Sequence, residues 1–585
     1  MMEQRNLFLA IALSLAVIIG FQFFYELPRL EREQATIKES EQQRTSEAQA
    51  PKPATPGEAR PAIPEASGER AAPGAGAEPE QRSRIIESGP RVRIASPRLN
   101  GSIALTGAIV DDLSLTDYRE TVAPDSPEIV LLSPKGALRA YFAEFGWLSR
   151  DPGEVPGADA LWRADRQVLT VDQAVTLSWD NGRGLSFSRT FAVDKNYMFT
   201  VTERVTNRGA SPVELYPYGL ISRAGTPATT GFYILHEGPL GVIAGQLEEY
   251  DYSDLKDDGP AEWDSAGGWL GITDKYWLIA IVPEAGRAIH ASFRHRSEGG
   301  DDRYQVDYVG REPQLVAPGA SVELTSRMFA GAKEVRLLEG YAESLGIERL
   351  DRAVVFRWLY FVAEPVFYLL DYFRELLGNF GLAIILLTVL IKALFFPLAN
   401  KSYRSMSRMK NLQPEMTKIR ERYKDDRQRM NQEMMQLYKR EKVNPASGCL
   451  PMVVQIPVFF CLYEVLFVTI EMRHAPFYGW IRDLSAPDPT TVFNLFGLIP
   501  FQPPEFLMIG AWPLIMGLSM FLQQKLNPQP ADPVQARIFM FLPIIFTVIL
   551  AQFPAGLVIY WTWNNVLSIA QQWLIMRQTK RGAKS

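Results

Sequence analysis

Lys392 is the single charge in the apolar run Gly381 to Leu398, GLAIILLTVLIKALFFPL. A charge near the middle of a membrane helix costs about 2.5 to 3.5 kcal/mol on insertion scales, so it faces protein or water rather than lipid. The chemistry open to a buried ammonium is electrostatic: it holds water and attracts carboxylates. The competing reading is snorkelling, in which the stem stretches to the interface and the helix is passive. The next cation, Lys401, lies nine residues on, about 13 Å along a helix, and a lysine stem covers about half of that. A hydrated, functional lysine is therefore the favoured reading.

Thr388 stands one turn before Lys392 and shares its face. Polar residues recur in the other apolar runs, among them Gln455, Thr547, Gln552, Thr562, Asn564, Asn565, Ser568, Gln571 and Gln572. A polar seam between helices can form from such residues, although single Ser, Thr and Gln side chains in membrane helices are commonly packing contacts.

Other chemistries find little material. The four histidines are His236, His290, His295 and His474. His236-Glu237 begins a zinc-protease pattern, but the position of its second histidine is Leu240. No Gly-Lys dipeptide occurs, which excludes a Walker A phosphate loop. An intramembrane serine protease needs a histidine base in a span, and none has one. Cys449 and Cys461 are twelve residues apart in one run, too far for a disulfide within a helix, and read as reduced. Neither an enzymatic reaction nor a cofactor nor a metal is expected.

The elements that position Lys392 emerge segment by segment, because 47% hydrophobic composition and a net charge of −5 average over unlike regions of the 585 residues. Leu7 to Tyr25 is long enough to span, and it ends in aromatic residues rather than a small-residue cleavage site, so residues 1–28 read as an uncleaved anchor. Residues 29–90, rich in Glu, Gln, Ala, Pro and Ser, offer little to bury and read as a disordered tether. From residue 91, short alternating segments such as AVTLSWD, LSFSRTFAV and SVELTSRMF, punctuated as at Asp180-Asn181-Gly182, predict an antiparallel β-sandwich. A helix over Ala332 to Leu345 closes that domain, which extends to residue 348.

Residues 349–378 carry Arg357, Glu364, Pro365, Asp371 and Arg374 among apolar and aromatic residues. They predict an amphipathic helix lying in the interface. Spans follow at Phe380 to Leu398, Leu450 to Ile470, Phe506 to Gln524, Ile538 to Phe553 and Ala555 to Met576, six with the anchor. The connection from Lys401 to Lys442 is strongly basic and belongs in the cytosol by the positive-inside rule. With six spans, both termini are then cytosolic and the sandwich is exported. Within that connection Pro414 starts one helix, with Met416, Ile419 and Tyr423 on a face. Asp425-Asp426 starts a second, with Met430, Met434 and Leu437, so a helical hairpin is expected over 401–445. Its charges, including Arg420, Arg422 and Arg427, fit a solvated face beside anionic lipid as well as a contact for a nascent chain or ribosomal RNA.

The stretches TVLIKALFFPL, LQPEMTKIRERYKDDRQRMNQEMMQLYKREKVNP, GCLPMVVQIPVFFCLYEVL, WIRDLSAPDP and FPAGLVIYWTWNN resemble the YidC/Oxa/Alb family of membrane-protein insertases. A large exported sandwich before five clustered spans is similar to the Gram-negative form. The resemblance implies a polytopic helical bundle plus a galactose-mutarotase-like sandwich, in the bacterial inner membrane. It also implies a hydrophilic intramembrane groove open to the cytosol. By position the groove would comprise Thr388, Lys392, Gln455, Gln552, Tyr560 and Trp561, with Pro457 nearby and a hydrophobic slide of Phe459, Met516 and Ile549. Relatives usually carry arginine where this chain has Lys392, which keeps a point charge and loses the bidentate fork. The partners implied are nascent membrane proteins, the bilayer, the Sec translocon, and the ribosome and signal recognition particle. Two rival functions are a small-anion transporter built on Lys392 and a non-inserting scaffold of the translocation machinery. The transporter reading lacks the internal repeat such proteins usually show.

Overall fold

The computed structural model describes residues 78–582, apart from 152, 232–233, 299–300, 355–359, 425, 442, 444–449, 500, 502, 505–506 and 528–532. The anchor, most of the tether, Asp425, Cys449 and the end of the hairpin at Asn444-Pro445 lie outside the described residues. Two compact units are present, each taken here by itself. One is built around the sandwich and includes Phe467–His474; the other comprises Phe361–Leu466 and the chain from Ala475 onward.

The first unit holds an 11-stranded and a 9-stranded sheet. Hydrogen bonds between their inner faces show that they pack face to face: Tyr308 Oη and Ser326 Oγ lie 3.0 Å apart, and Tyr141 Oη donates to the Ile272 carbonyl at 3.3 Å. Strand Leu185–Val193 shows how sequence makes the layer, since its residues alternate between buried and half-buried along its whole length. Trp269, Tyr197, Tyr308, Phe142, Phe191 and Phe293 are the large side chains that this unit buries completely. The expected turn after Asp180 is built by side chains. Asp180 Oδ1 accepts from Gly182 N–H at 2.8 Å and Asn181 Oδ1 accepts from Leu185 N–H at 3.0 Å, while Gly182 takes φ +67°.

Among the described residues three α-helices belong to this unit: α1 (Glu78–Glu87), α2 (Tyr252–Asp257) and α3 (Val335–Leu345). The closing helix α3 forms as expected, burying Leu338 and Tyr341. α1 is a finding against a tether that extends to residue 90. Past Pro79 the stretch EQRSRIIE has no Gly or Pro and several good helix formers, and Arg82 pairs with the buried Asp112.

The second unit is helical: α4 (Tyr360–Leu377), α5 (Phe380–Leu394), α6 (Phe396–Asn411), α7 (Gln413–Arg422), α8 (Arg427–Arg440), α9 (Leu450–Val468), α10 (Ala511–Leu526), α11 (Pro533–Leu550) and α12 (Ala555–Gly582). α4 buries Ala363, Phe367, Leu370 and Asp371 and exposes Tyr372 and Leu376. α7 and α8 form the expected hairpin, closed by Met416, Met434 and Leu437 with Ile419 and Tyr438 against them. Asp426 caps α8 by accepting from Arg429 N–H at 3.0 Å.

The run expected to span from Phe380 to Leu398 is broken at Phe395. α5 and α6 meet there at 68°, and Pro397 opens the second helix. Proline lacks an N–H and fits only the first turn of a helix, so the chain restarts rather than continues. Among the described residues no single helix is long and apolar enough to cross a membrane alone; the bent pair α5–α6 together reaches that length and composition.

Candidate functional site

Lys392 sits in the last turn of α5, three residues before the bend at Phe395. Its Nζ donates to Ser568 Oγ at 2.8 Å and lies 3.5 Å from Gln455 Oε1, so α5, α9 and α12 converge on one ammonium. Each partner is held in turn. Ser568 Oγ donates to the Asn564 carbonyl at 2.7 Å, and Gln455 Nε2 donates to the Tyr560 hydroxyl. Among the described residues no carboxylate pairs with Lys392.

A cavity opens beside it, lined by Lys392, Gln455 and Gln571 together with Ile391, Phe395, Leu398, Ala399, Tyr403 and Val458. About 30 Å³ of it can hold water centres, above the 10–15 Å³ or so that one water needs. The buried atoms Gln571 Oε1 and Asn564 Oδ1 have no protein hydrogen-bond partner, which makes them acceptors for water. The bend supplies part of this wall, because Phe395 ends α5 while Leu398, Ala399 and Tyr403 belong to α6. Tyr403 and Met406 pack α6 against Ile575 of α12.

Two family models match most of the described residues. A family model described as "YidC periplasmic domain" matches residues 91–369, and one described as "60Kd inner membrane protein" matches residues 372–582. The membrane protein insertase YidC of Methylobacterium sp. (strain 4-46) is 50% identical over 98% of this chain and 95% of that protein. That of Rhizobium meliloti (strain 1021) is 49% identical over 99% and 96%. This chain belongs to the YidC family of membrane protein insertases.

Membership in the YidC family makes it an inner-membrane protein with a periplasmic domain, whose activity is insertion of membrane proteins and whose partners are nascent membrane proteins and the bilayer. A crystal structure titled as an active YidC insertase with its first transmembrane domain resolved is similar over 83% of this chain and 92% of that one, at TM-score 0.35 and 16% identity. A galactose mutarotase related enzyme from Lactobacillus acidophilus is similar over 41% of this chain and 97% of its own, at TM-score 0.30 and 9% identity. The sandwich occupies the YidC periplasmic match. Within it His236 is buried, with Nε2 3.0 Å from the Pro239 carbonyl. Among the described residues no cluster of three or more His, Cys, Asp or Glu could hold a metal.

The residues expected in the groove do not all meet. Lys392, Gln455 and Tyr560 form one hydrogen-bonded chain. Thr388 is buried but donates to its own helix, to the Ile384 carbonyl at 2.7 Å. Trp561 packs edge-on against Phe459, 4.7 Å between centroids, and Gln552 is exposed past the end of α11. The three residues of the slide are also divided. Met516 lies in the core with Leu550 and Val558, Phe459 is half-buried, and Ile549 is exposed. On the hairpin, Arg422 and Asp426 are exposed and Arg420 is half-buried at the C-terminal end of α7, while Arg427 opens α8. Cys461 is a free, buried thiol.

Ser568, Asn564 and Gln571 were each visible as polar residues in a span, without an assigned place around Lys392. Their spacing of four and three residues, continued by Ile575, puts them on one face of α12, and that periodicity is the signal that joins them. The neighbouring face of α12, one residue round, meets α10 and its C-cap instead. Asn565 Nδ2 donates to Ser519 Oγ at 2.9 Å and Gln572 Nε2 to Asn527 Oδ1 at 3.1 Å.

Proposed function

We propose that the cavity at Lys392 is the hydrated part of an insertion groove, and that it lowers the cost of drawing the polar tail of a nascent segment into the membrane. The observation that carries this reading is an ammonium held by hydroxyl and amide groups, with orphaned acceptors and room for water beside it and, among the described residues, no carboxylate paired to it. A polar group entering hydrocarbon unpaired costs several kcal/mol, so even partial relief accelerates insertion. Burial of about twenty apolar residues drives the step, and no nucleotide, cofactor or covalent catalysis takes part. Thr388, Gln552 and Trp561 extend the groove, and Phe459, Met516 and Ile549 form its greasy flank.

Both termini and the α7–α8 hairpin face the cytosol, where basic segments remain. There the hairpin, through Arg420, Arg422, Asp425, Asp426 and Arg427, first meets the emerging segment. α4 lies in the interface with its apolar stripe against the bundle. The anchor, the tether and the exported sandwich complete the order 1–28, 29–90, 91–348. The Sec translocon, the ribosome and the signal recognition particle are the partners that deliver or share substrates. The test is reconstitution of the purified chain in liposomes with a short membrane-protein substrate and no other factor. Spontaneous-background insertion in the presence of the chain would refute autonomous insertion.

A further inference from the structure

The segment between α9 and α10 ends in a loop that displays apolar side chains outward. Val492, Phe493, Leu495, Phe496, Leu498, Ile499 and Phe501 are all exposed, Leu498 at 83%. Such a patch on a water-facing surface is unfavourable and marks contact with another apolar phase. The display is built rather than frayed. Leu495 and Phe496 hold φ of +50° and +58°, a region that bulky residues avoid. They are kept there by Phe496 N–H to the Thr491 carbonyl at 2.9 Å and Ile499 N–H to the Asn494 carbonyl at 3.1 Å. Thr491 Oγ1 donates to the Leu507 carbonyl at 3.0 Å and closes the base.

A buried carboxylate fixes this loop to the first turn of α10. Asp488 Oδ2 accepts from Trp512 N–H at 2.9 Å, and its Oδ1 accepts from Trp480 Nε1 at 3.0 Å and Thr490 Oγ1 at 2.7 Å. Thr490 Oγ1 in turn accepts from Ala511 N–H at 3.0 Å. Gly510 leaves the necessary room, since a Cβ there would lie 2.5 Å from Asp488 Cγ. The loop therefore sits at the helix end opposite Lys525. α10 has 16 residues, about 24 Å, whereas the hydrocarbon core is about 30 Å thick. Its residues Leu514, Ile515, Leu518 and Leu522 are exposed and apolar as well.

We propose that the loop segment Val492–Ile499, with Phe501, is a membrane-interface anchor that dips into the phospholipid leaflet away from Lys525, and so makes up the thickness that the short helix α10 leaves uncovered. The occupant is lipid because the chain belongs to an inner-membrane family and the patch is clamped to the end of a helix that itself exposes apolar side chains along its length. The inference rests on α10 crossing the bilayer, and its test needs no insertion activity, so it can fail while the Lys392 groove stands.

The test uses the full chain in phospholipid nanodiscs with Cys449→Ser and Cys461→Ser, carrying a nitroxide at Phe493→Cys, at Leu498→Cys or, as an aqueous reference, at Asp172→Cys. Collision rates with oxygen and with a water-soluble nickel chelate are measured. The expected result is at least a tenfold lower nickel-to-oxygen ratio at 493 and 498 than at 172. An equal ratio overturns the proposal, as does protection from both reagents with spin–spin broadening, which means a second copy covers the loop. If the cysteine-free background does not fold, Leu498→Trp in the otherwise native chain replaces it, read against the native chain. Added fluorescence quenched by lipid brominated near the headgroup supports the anchor, and fluorescence quenched only by aqueous acrylamide overturns it.

Discussion

Replacing Lys392 by Met removes the charge while keeping most of the volume that shapes the cavity. The ammonium spends one N–H on Ser568 at 2.8 Å and a second, weakly, on Gln455 at 3.5 Å, which leaves a third for an incoming carboxylate. At about 4 Å and an effective dielectric of about 20 the attraction is about 4 kcal/mol. Water in the cavity roughly halves it, in line with the 1.5 to 3 kcal/mol or so of a hydrogen bond to a charged group. About 2 kcal/mol corresponds to about 30-fold in rate. The assay is protease protection in proteoliposomes, with two short substrates whose translocated tails differ only in carrying two Glu or two Gln. Lys392→Met is expected to slow the Glu substrate by about 30-fold and the Gln substrate by less than about threefold, and Lys392→Arg to restore the first. Insertion of the Glu substrate by Lys392→Met at the native rate would refute the electrostatic role.

Glu203 and Arg189 face each other across paired strands in the sandwich, with Nε and Nη2 3.0 and 2.8 Å from one carboxylate oxygen and both side chains 4% exposed. Glu203→Ala strands a buried guanidinium and is expected to destabilise the domain by about 3 to 5 kcal/mol in urea titrations followed by tryptophan fluorescence. In the helical unit a Cβ at Gly517 would lie 2.0 Å from Thr547 Oγ1. Gly517→Val is therefore expected to lower stability by about 1 to 3 kcal/mol, with a lower Tm in detergent that Thr547→Ala partly restores. Burial lowers the fully buried Lys333 ammonium from 10.5 to about 8. Between pH 8 and 10.5 the unfolded chain then binds a proton that the folded chain lacks. Stability should rise with pH across that window, by about 3 kcal/mol in all, while below pH 8 the full burial penalty remains. Lys333→Met should abolish this rise in urea midpoints measured from pH 7 to 10.5.

Period-two alternation carried the sandwich, because each strand has one face in the core and the pattern must show it. It did not disclose that Arg189, written among the inward positions of LSFSRTFAV, is buried with Glu203. Pairing across strands is a tertiary fact, and a single sequence shows only the alternation. The hairpin was readable from Met416, Met434 and Leu437 at helical spacing. The bend at Phe395 was not, since Phe395, Phe396 and Pro397 are as apolar as the run they interrupt and hydropathy is blind to a missing N–H. Lys392 stood out as a charge among hydrocarbons. Its partner Ser568 did not, because a serine in a span usually bonds its own helix, as Ser568 also does.

The most direct measurement is water access to position 392. With Cys449→Ser and Cys461→Ser, a cysteine at 392 is offered a membrane-impermeant maleimide in inside-out and in right-side-out vesicles. A hydrated groove open to the cytosol predicts labelling in the first and protection in the second. Protection in both, with full labelling after denaturation, would place the residue against acyl chains and contradict the groove.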